Sequence, residues 1–379
     1  MAYLSERETT ADLHHGLHQT STRPPPNLHS IVYHSNFVAN ENIMSMEASN
    51  KKMTYVRLGN SGLKVSRLIL GLMSYGNKEW NDWVLDEEEG IKHIKVAYDA
   101  GIQTFDTANV YSNGDSERIL GKAIKQLDLP RDEIVVMTKV YGIVTRDNRE
   151  FIRLNGGDSP EGDAKGYANQ YGLSRKHIFE SIKHSLERLQ LDYVDVLQCH
   201  RFDYSTPIAE TMQALHDVVK AGYARYIGMS SCHAYQFHAM QNYAINNNLT
   251  PFISMQNQHS LVYREEEREM MPTLKIFGVG MIPWSPLSQG ILSRPYEATS
   301  HRGETSRFSG MWAKTKEENK EIILRVEKIA KARGISMAQV AIAWSLSKDV
   351  ISVLDVKLTD EEIKQLEEPY VAQAIQGYV

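Results

Sequence analysis

From Tyr55 onward, short apolar runs alternate with amphipathic stretches of helical length. Residues 65–71, 104–106, 134–140, 194–199, 226–231, 252–256 and 280–284 read as strands. Between them, 86–100, 116–127, 174–189, 207–221, 234–246 and 265–277 read as helices, and 316–332 and 337–347 follow the last strand. Ser174 is a plausible N-cap for its helix. Strict alternation of this kind predicts a parallel sheet covered by helices. The choice is then a closed barrel or an open doubly wound sheet. An open dinucleotide-binding sheet carries GxGxxG after its first strand, and that pattern does not occur here. Polar residues end nearly every strand instead. The sequence therefore predicts an α/β fold of the (β/α)₈ TIM-barrel type, whose sites are built at the C-terminal strand ends.

The expected barrel domain covers 54–370, and residues 1–50 stand apart from it. That stretch contains Arg23-Pro-Pro-Pro26 and scattered Ser, Thr, Asn and His without a sustained period, so it reads as a disordered extension. It has neither the apolar core of a secretory signal nor the composition of a transit peptide, since it carries Glu6, Glu8 and Asp12. His14, His15 and His18 within it read as solvated, and no metal site is expected anywhere. Met44, Met46 and Met53 are alternative starts. The net charge of −5 is spread among interspersed acidic and basic residues, which gives no nucleic-acid surface. No apolar run is long enough to span a membrane. Cys199 and Cys232 form no disulfide framework and read as small buried apolar groups in a reducing compartment, the cytosol.

The strand ends carry the chemistry. Asp106 ends the second strand and Tyr111 follows it in Phe105-Asp-Thr-Ala-Asn-Val-Tyr111. Lys139 ends the third strand, and His200 follows the fourth. These polar groups converge on one mouth. Reduction of a carbonyl adds hydride to carbon while negative charge grows on oxygen, which must be stabilised and protonated. A free tyrosine is a weak acid, with a reference pKa near 10. An adjacent ammonium favours the phenolate. Lys139 can supply that charge, Asp106 can hold it, and His200 can give the carbonyl a second hydrogen bond. Taken singly, each residue has an ordinary reading as a helix-start aromatic, a strand-end ion pair or a core histidine.

Further segments extend the pattern: Arg57-Leu-Gly-Asn-Ser-Gly-Leu-Lys-Val-Ser66, Glu117-Arg-Ile-Leu-Gly121, Arg225-Tyr-Ile-Gly-Met-Ser-Ser231, Ser254-Met-Gln-Asn257, Trp284-Ser-Pro-Leu287 and Ala338-Gln-Val-Ala-Ile-Ala-Trp344. With the strand ends above, and in this order, they resemble the aldo-keto reductases, in particular the fungal aryl-alcohol dehydrogenase-like and versiconal hemiacetal acetate reductase-like branch. The resemblance implies an NADPH/NADP-dependent reductase of a small aldehyde or ketone, of the kind that serves secondary metabolism. It implies Tyr111 as proton donor, Asp106 and Lys139 as its orienting pair, and His200 as the substrate-orienting residue. It places the nicotinamide carboxamide against Ser230, Ser231 and Gln256, with Trp284 stacking on the ring and Ser285, Pro286 and Leu287 opening the pyrophosphate loop. Many members carry Asn where this chain has Ser231.

The C-terminus departs from that pattern. Ten residues, 348–357, separate Ser347 from Leu358. A complete strand, loop and helix needs roughly 20. The last strand–helix unit therefore reads as truncated, or residues 351–356 replace its strand. The basic 2′-phosphate ligand that the family draws from this unit is not visible. The alternative function is a catalytically impaired, cofactor-sensing or partner-binding relative. Two long connections, 141–171 and 285–315, read as the loops that set the substrate, with Tyr204 and Trp312 as candidate pocket residues. The acidic run Glu265-Glu-Glu267 reads as an exposed helix start.

Overall fold

The computed structural model describes residues 53–306, 309–348, 356–375 and 378, the side chains of 311 and 312 excepted. The extension 1–50, the stretch 349–355 and the Trp312 side chain, all named above, lie outside the described residues.

Two antiparallel strands come first, β1 (Tyr55–Arg57) and β2 (Lys64–Ser66). Seven parallel strands follow: β3 (Leu70–Gly71), β4 (Thr104–Asp106), β5 (Val135–Val140), β6 (Val194–Cys199), β7 (Ala224–Ser230), β8 (Phe252–Gln256) and β9 (Gly280–Met281). They pair in chain order as one curled sheet. The expected strand over 65–71 is thus two elements, because the chain turns out of the hairpin at Arg67–Ile69 before it enters the sheet. The hairpin plugs the inner floor, where Leu58 and Val65 pack with Val135, Met137, Val196 and Ile282. Ser66 and Thr104 tie it there with reciprocal backbone-to-hydroxyl bonds of 2.9 and 3.1 Å.

Helices cover the outer face: α1 (Glu87–Asp99), α2 (Asp115–Gln126), the short α3 (Pro160–Ala164), α4 (Arg175–Leu189), α5 (Ile208–Lys220), α6 (Ala234–Asn246) and α7 (Met270–Phe277). Ser174 caps α4 by accepting from His177 N at 3.3 Å, as expected. The large core between sheet and helices includes Phe105, Leu120, Ile178, Leu197, Leu215 and Phe237, all buried. Strands buried on both faces account for the nearly unbroken apolar runs read in the sequence.

After β9 come α8 (His301–Thr305), α9 (Ser309–Glu318), α10 (Lys320–Arg333), α11 (Met337–Leu346) and α12 (Asp360–Glu367). The single helix expected over 316–332 instead starts at Lys320, because the chain breaks at Asn319. A second core around Trp344, Ile323, Val326 and Leu366 joins α10, α11 and α12. Among the described residues no eighth parallel strand follows β9, and no helix is long and apolar enough to cross a membrane.

The connection 141–171 is not structureless. Ile143, Ile152 and Tyr167 form a small core of their own. Asp203 anchors it from the end of β6, accepting from Leu173 N at 2.6 Å, while Tyr204 N donates to Gly156 O at 2.9 Å. Gly157 lies at φ 110°, and a Cβ there would stand 2.0 Å from Asp203 Oδ1, so the approach requires glycine.

Candidate active site

Side chains alternate across a strand. On β5, Val135 and Met137 enter the inner floor, and Lys139 is next on that face. On β6, Val196 is followed by Gln198 and then His200 on the same face. The apolar floor thus gives way to polar groups at the C-terminal ends. Asp106 arrives from β4, and Gln256 from β8.

Lys139 is fully buried. Its Nζ donates to Asp106 Oδ2 at 2.5 Å, to Thr107 O at 2.8 Å and to Tyr111 Oη at 3.3 Å. Burial opposes its charge, but Asp106 above all, then Tyr111, outweigh it and raise the ammonium pKa. Lys139 is therefore a cation at neutral pH. Asp106 uses its other oxygen, Oδ1, to accept from Gln198 Nε2 at 2.8 Å and Gln256 Nε2 at 3.2 Å. One carboxylate thereby connects three barrel strands to the ammonium.

Tyr111 is set by the turn after β4. Lys139 holds Thr107 O, and Thr107 Oγ1 pairs with Ser116 Oγ at 2.8 Å. Ser112 and Asn113 adopt left-handed conformations, φ 47° and 49°. Asn113 Nδ2 is secured by Thr145 Oγ1 at 2.6 Å and Asp147 O at 3.1 Å. Such strain persists where the surroundings over-determine it. The result brings the Tyr111 ring edge-on to His200, with centroids 5.7 Å apart. Burial, then the charges of Arg201 and Lys139, push the His200 pKa well below the usual histidine range. His200 is consequently a neutral imidazole. The four residues singled out for chemistry are brought together at one mouth.

The second group lies beside them. Ser230 Oγ donates to Gln256 O at 2.7 Å. Ser231 has φ 47° and donates its amide to Asn257 Oδ1 at 2.7 Å. Trp284 Nε1 donates to Ser231 Oγ at 3.0 Å, which sets the indole over the ends of β7 and β8. Beyond Trp284, Ser285, Ser288, Gln289 and Gly290 all have positive φ. Ser288 Oγ is buried and has no hydrogen-bond partner among the described residues. The segment is a series of tight turns, in which Ser288 N donates to Ser285 O at 2.8 Å and Gly290 N to Leu287 O at 3.0 Å. Ser285, Pro286 and Leu287 open this segment. A flat indole, strand-end hydroxyls and the unpartnered Ser288 hydroxyl are groups that a dinucleotide's nicotinamide and phosphates could use.

Several participants were missed from sequence. Gln198 is two residues before His200, and strand alternation alone points it inward. Arg201 gave no periodic signal. Glu265, Glu266 and Glu267 are not an exposed helix start. Glu266 is 3% exposed, bonded to Tyr378 and Asn257, and burial raises its carboxyl pKa to about 6. Glu267 holds Arg264 and His259, at 2.8 and 3.0 Å. Tyr370, Gln373 and Tyr378, distant in sequence, help to cover this acidic run: Tyr370 Oη donates to Glu265 Oε1 at 2.7 Å and Gln373 N donates to it at 2.9 Å. Tyr204 is 48% exposed and packs edge-on against Phe202.

The aldo/keto reductase family model matches residues 67–370. Versiconal hemiacetal acetate reductase of Aspergillus parasiticus is 49% identical over 342 residues, which cover 85% of this chain and 98% of that protein. An aldo-keto reductase of Alternaria alternata, AFTS1, is 47% identical over 357 residues, 89% of this chain and 96% of that one. The chain belongs to the aldo/keto reductase family, and it is an oxidoreductase that reduces carbonyl compounds with a nicotinamide cofactor.

Proposed function

We propose that the chain reduces an aldehyde or ketone to the alcohol in the cytosol, with NADPH as reductant and Tyr111 as proton donor. The observation that carries this reading is Lys139 Nζ, shared between Asp106 at 2.5 Å and Tyr111 at 3.3 Å. When bound, the cofactor supplies hydride to the carbonyl carbon. Tyr111 Oη then meets the charge growing on the carbonyl oxygen and delivers its proton there. The ammonium beside it stabilises the phenolate left behind. Asp106 keeps that ammonium in place and is itself fixed by Gln198 and Gln256. His200, neutral and edge-on to Tyr111, offers the carbonyl a second hydrogen bond. Ser230, Ser231 and Gln256 would hold the carboxamide, Trp284 would lie against the nicotinamide ring, and Ser285, Pro286 and Leu287 would begin the pyrophosphate loop. The complete tetrad supports catalysis over a role limited to cofactor sensing.

Tyr111→Phe tests the assignment. Turnover of an aromatic aldehyde should fall by about 10²-fold or more, since a positioned acid contributes roughly 10²–10⁴. Cofactor affinity, read by nicotinamide fluorescence, should hold. Retention of most of the activity would remove Tyr111 from its role.

A further inference from the structure

Arg201 directly follows His200 at the end of β6. Its Nη1 donates to His200 O at 2.8 Å. No carboxylate pairs with it among the described residues. Arg131, Arg188 and Arg264, which are largely withdrawn from solvent, each hold one: Asp195 at 2.7 Å, Glu117 at 2.6 Å and Glu267 at 2.8 Å. The groups within electrostatic reach of Arg201 are instead the phenols of Tyr111, Tyr141 and Tyr378. Burial keeps Tyr141 and Tyr378 protonated far above neutral pH, so neither supplies a counter-charge. Partial burial also pulls the Arg201 pKa down.

Arg201 is half-buried, so its charge stands at the end of β6 partly open to solvent, without a counter-charge among the described residues and available to an anion. Here it stands next to a residue that faces the substrate. Guanidinium presents five N–H donors in a planar fork. With Nη1 engaged by the backbone, the edge formed by Nε and Nη2 is left, and that edge matches the two oxygens of a carboxylate.

We propose that Arg201 determines substrate specificity by binding a carboxylate on the aldehyde or ketone being reduced. The inference rests on the reading of Tyr111 and His200 as the carbonyl-facing groups. The preferred substrates are carbonyl compounds with an anionic oxygen pair a short spacer from the reacting carbon. Neutral carbonyls of the same size are reduced with a higher KM.

The test uses the full-length protein and NADPH. The 2-, 3- and 4-carboxybenzaldehydes are each compared with their methyl esters. For at least one isomer the wild type should favour the acid by about tenfold to a hundredfold in kcat/KM, the range of a charge-assisted hydrogen bond. Arg201→Gln, which can still donate to His200 O, should abolish that preference, raising KM for the acid by far more than it changes kcat/KM for the ester. Arg201→Lys should keep part of it. Equal use of acid and ester by the wild type in all three isomers overturns the proposal. So does an equal loss on both substrates in Arg201→Gln, which would make Arg201 a tuner of His200 instead. Failure of the wild type to reduce any ester or acid refutes the reductase reading itself, a separate result. Should the glutamine variant fold poorly, inhibition of wild-type ester reduction by benzoate and by benzamide reads the same contact. Stronger inhibition by benzoate supports it, and equal inhibition overturns it.

Discussion

Replacing Asp106 with Asn tests the electrostatic design of the site more sharply than any change to Tyr111. Lys139 is wholly buried, and Asp106 is its only ion-pair partner among the described residues. Removing one member of a buried pair leaves an uncompensated charge, which costs about 3–5 kcal/mol. The Asn amide adds to the loss, because its NH₂ must face either the ammonium or the donors of Gln198 and Gln256. Urea denaturation at neutral pH should show that drop. Lys139→Met in the Asp106→Asn background should restore part of it, so that the two changes are non-additive by well over 0.5 kcal/mol. The pH dependence should change sign. In the wild type the Lys139 pKa is raised above its unfolded value, so its stabilisation is present below about 10.5 and is lost as pH rises further. Without Asp106, burial dominates and the folded pKa falls below the unfolded one. The unfolded chain then binds more protons, and the variant should gain stability as pH rises from 7 toward 10. A variant within about 1 kcal/mol of the wild type, or one with an unchanged slope, would refute the claim that Asp106 sustains the buried ammonium.

Two further outcomes are expected. His177, His200 and His259 all have pKa values lowered, in each case first by burial, so the unfolded chain takes up more protons below about pH 6.5 and stability should fall as pH drops through that value. Glu266, raised to about 6, works in the opposite sense between its unfolded value and 6; a urea midpoint that nonetheless rises steadily from pH 7.5 to 5.5 would contradict the neutral histidines. Lys348, a candidate replacement for the 2′-phosphate ligand, is bound to Glu367 at 2.5 Å and lies 3.6 Å from Glu267. With Lys348 engaged, discrimination between NADPH and NADH should be within a few-fold, since the charge-assisted contact worth about 1.5–3 kcal/mol is not supplied by it; a strong preference for NADPH in fluorescence titration would show that another cation, Lys357 first, takes that role.

Local rules carried the sequence reading far at the strand ends and failed where contacts come from afar. Asp106, Lys139 and His200 were legible because each ends a short apolar run, and a parallel barrel brings such ends to one face. Gln198 was legible in principle, by alternation from His200, yet its value lies in a bond to Asp106, 92 residues away. The acidic run at Glu265–Glu267 misled because three carboxylates in a row ordinarily mean solvent. Beside the local i,i+3 pairs of Arg268 with Glu265 and Arg264 with Glu267, each is answered by a group that no local pattern announces: Tyr370 for Glu265, Tyr378 and Asn257 for Glu266, His259 for Glu267.

The same long-range logic bears on the shortened C-terminus. Counting residues leads to the expectation that a full strand–helix unit does not fit between Ser347 and Leu358, but says nothing of the groups beside it. Lys348, at the end of α11, turns to Glu367 on α12, and Trp344 Nε1 donates to the same carboxylate at 2.8 Å. Arg264, beyond β8, reaches Glu367 as well, at 2.9 Å. Arg325 and Arg333 of α10 fasten α12 through Glu368 and Glu362. The final helix is thus anchored through pairs that end in its own carboxylates, directly downstream of the short segment. Lys348 and Arg264 are thereby engaged in holding the chain end. Were a 2′-phosphate to bind here, stability of this end and affinity for the phosphate would compete for Lys348 and Arg264. Tyr111, Lys139 and His200, fixed upstream on β4 to β6, stand outside that competition.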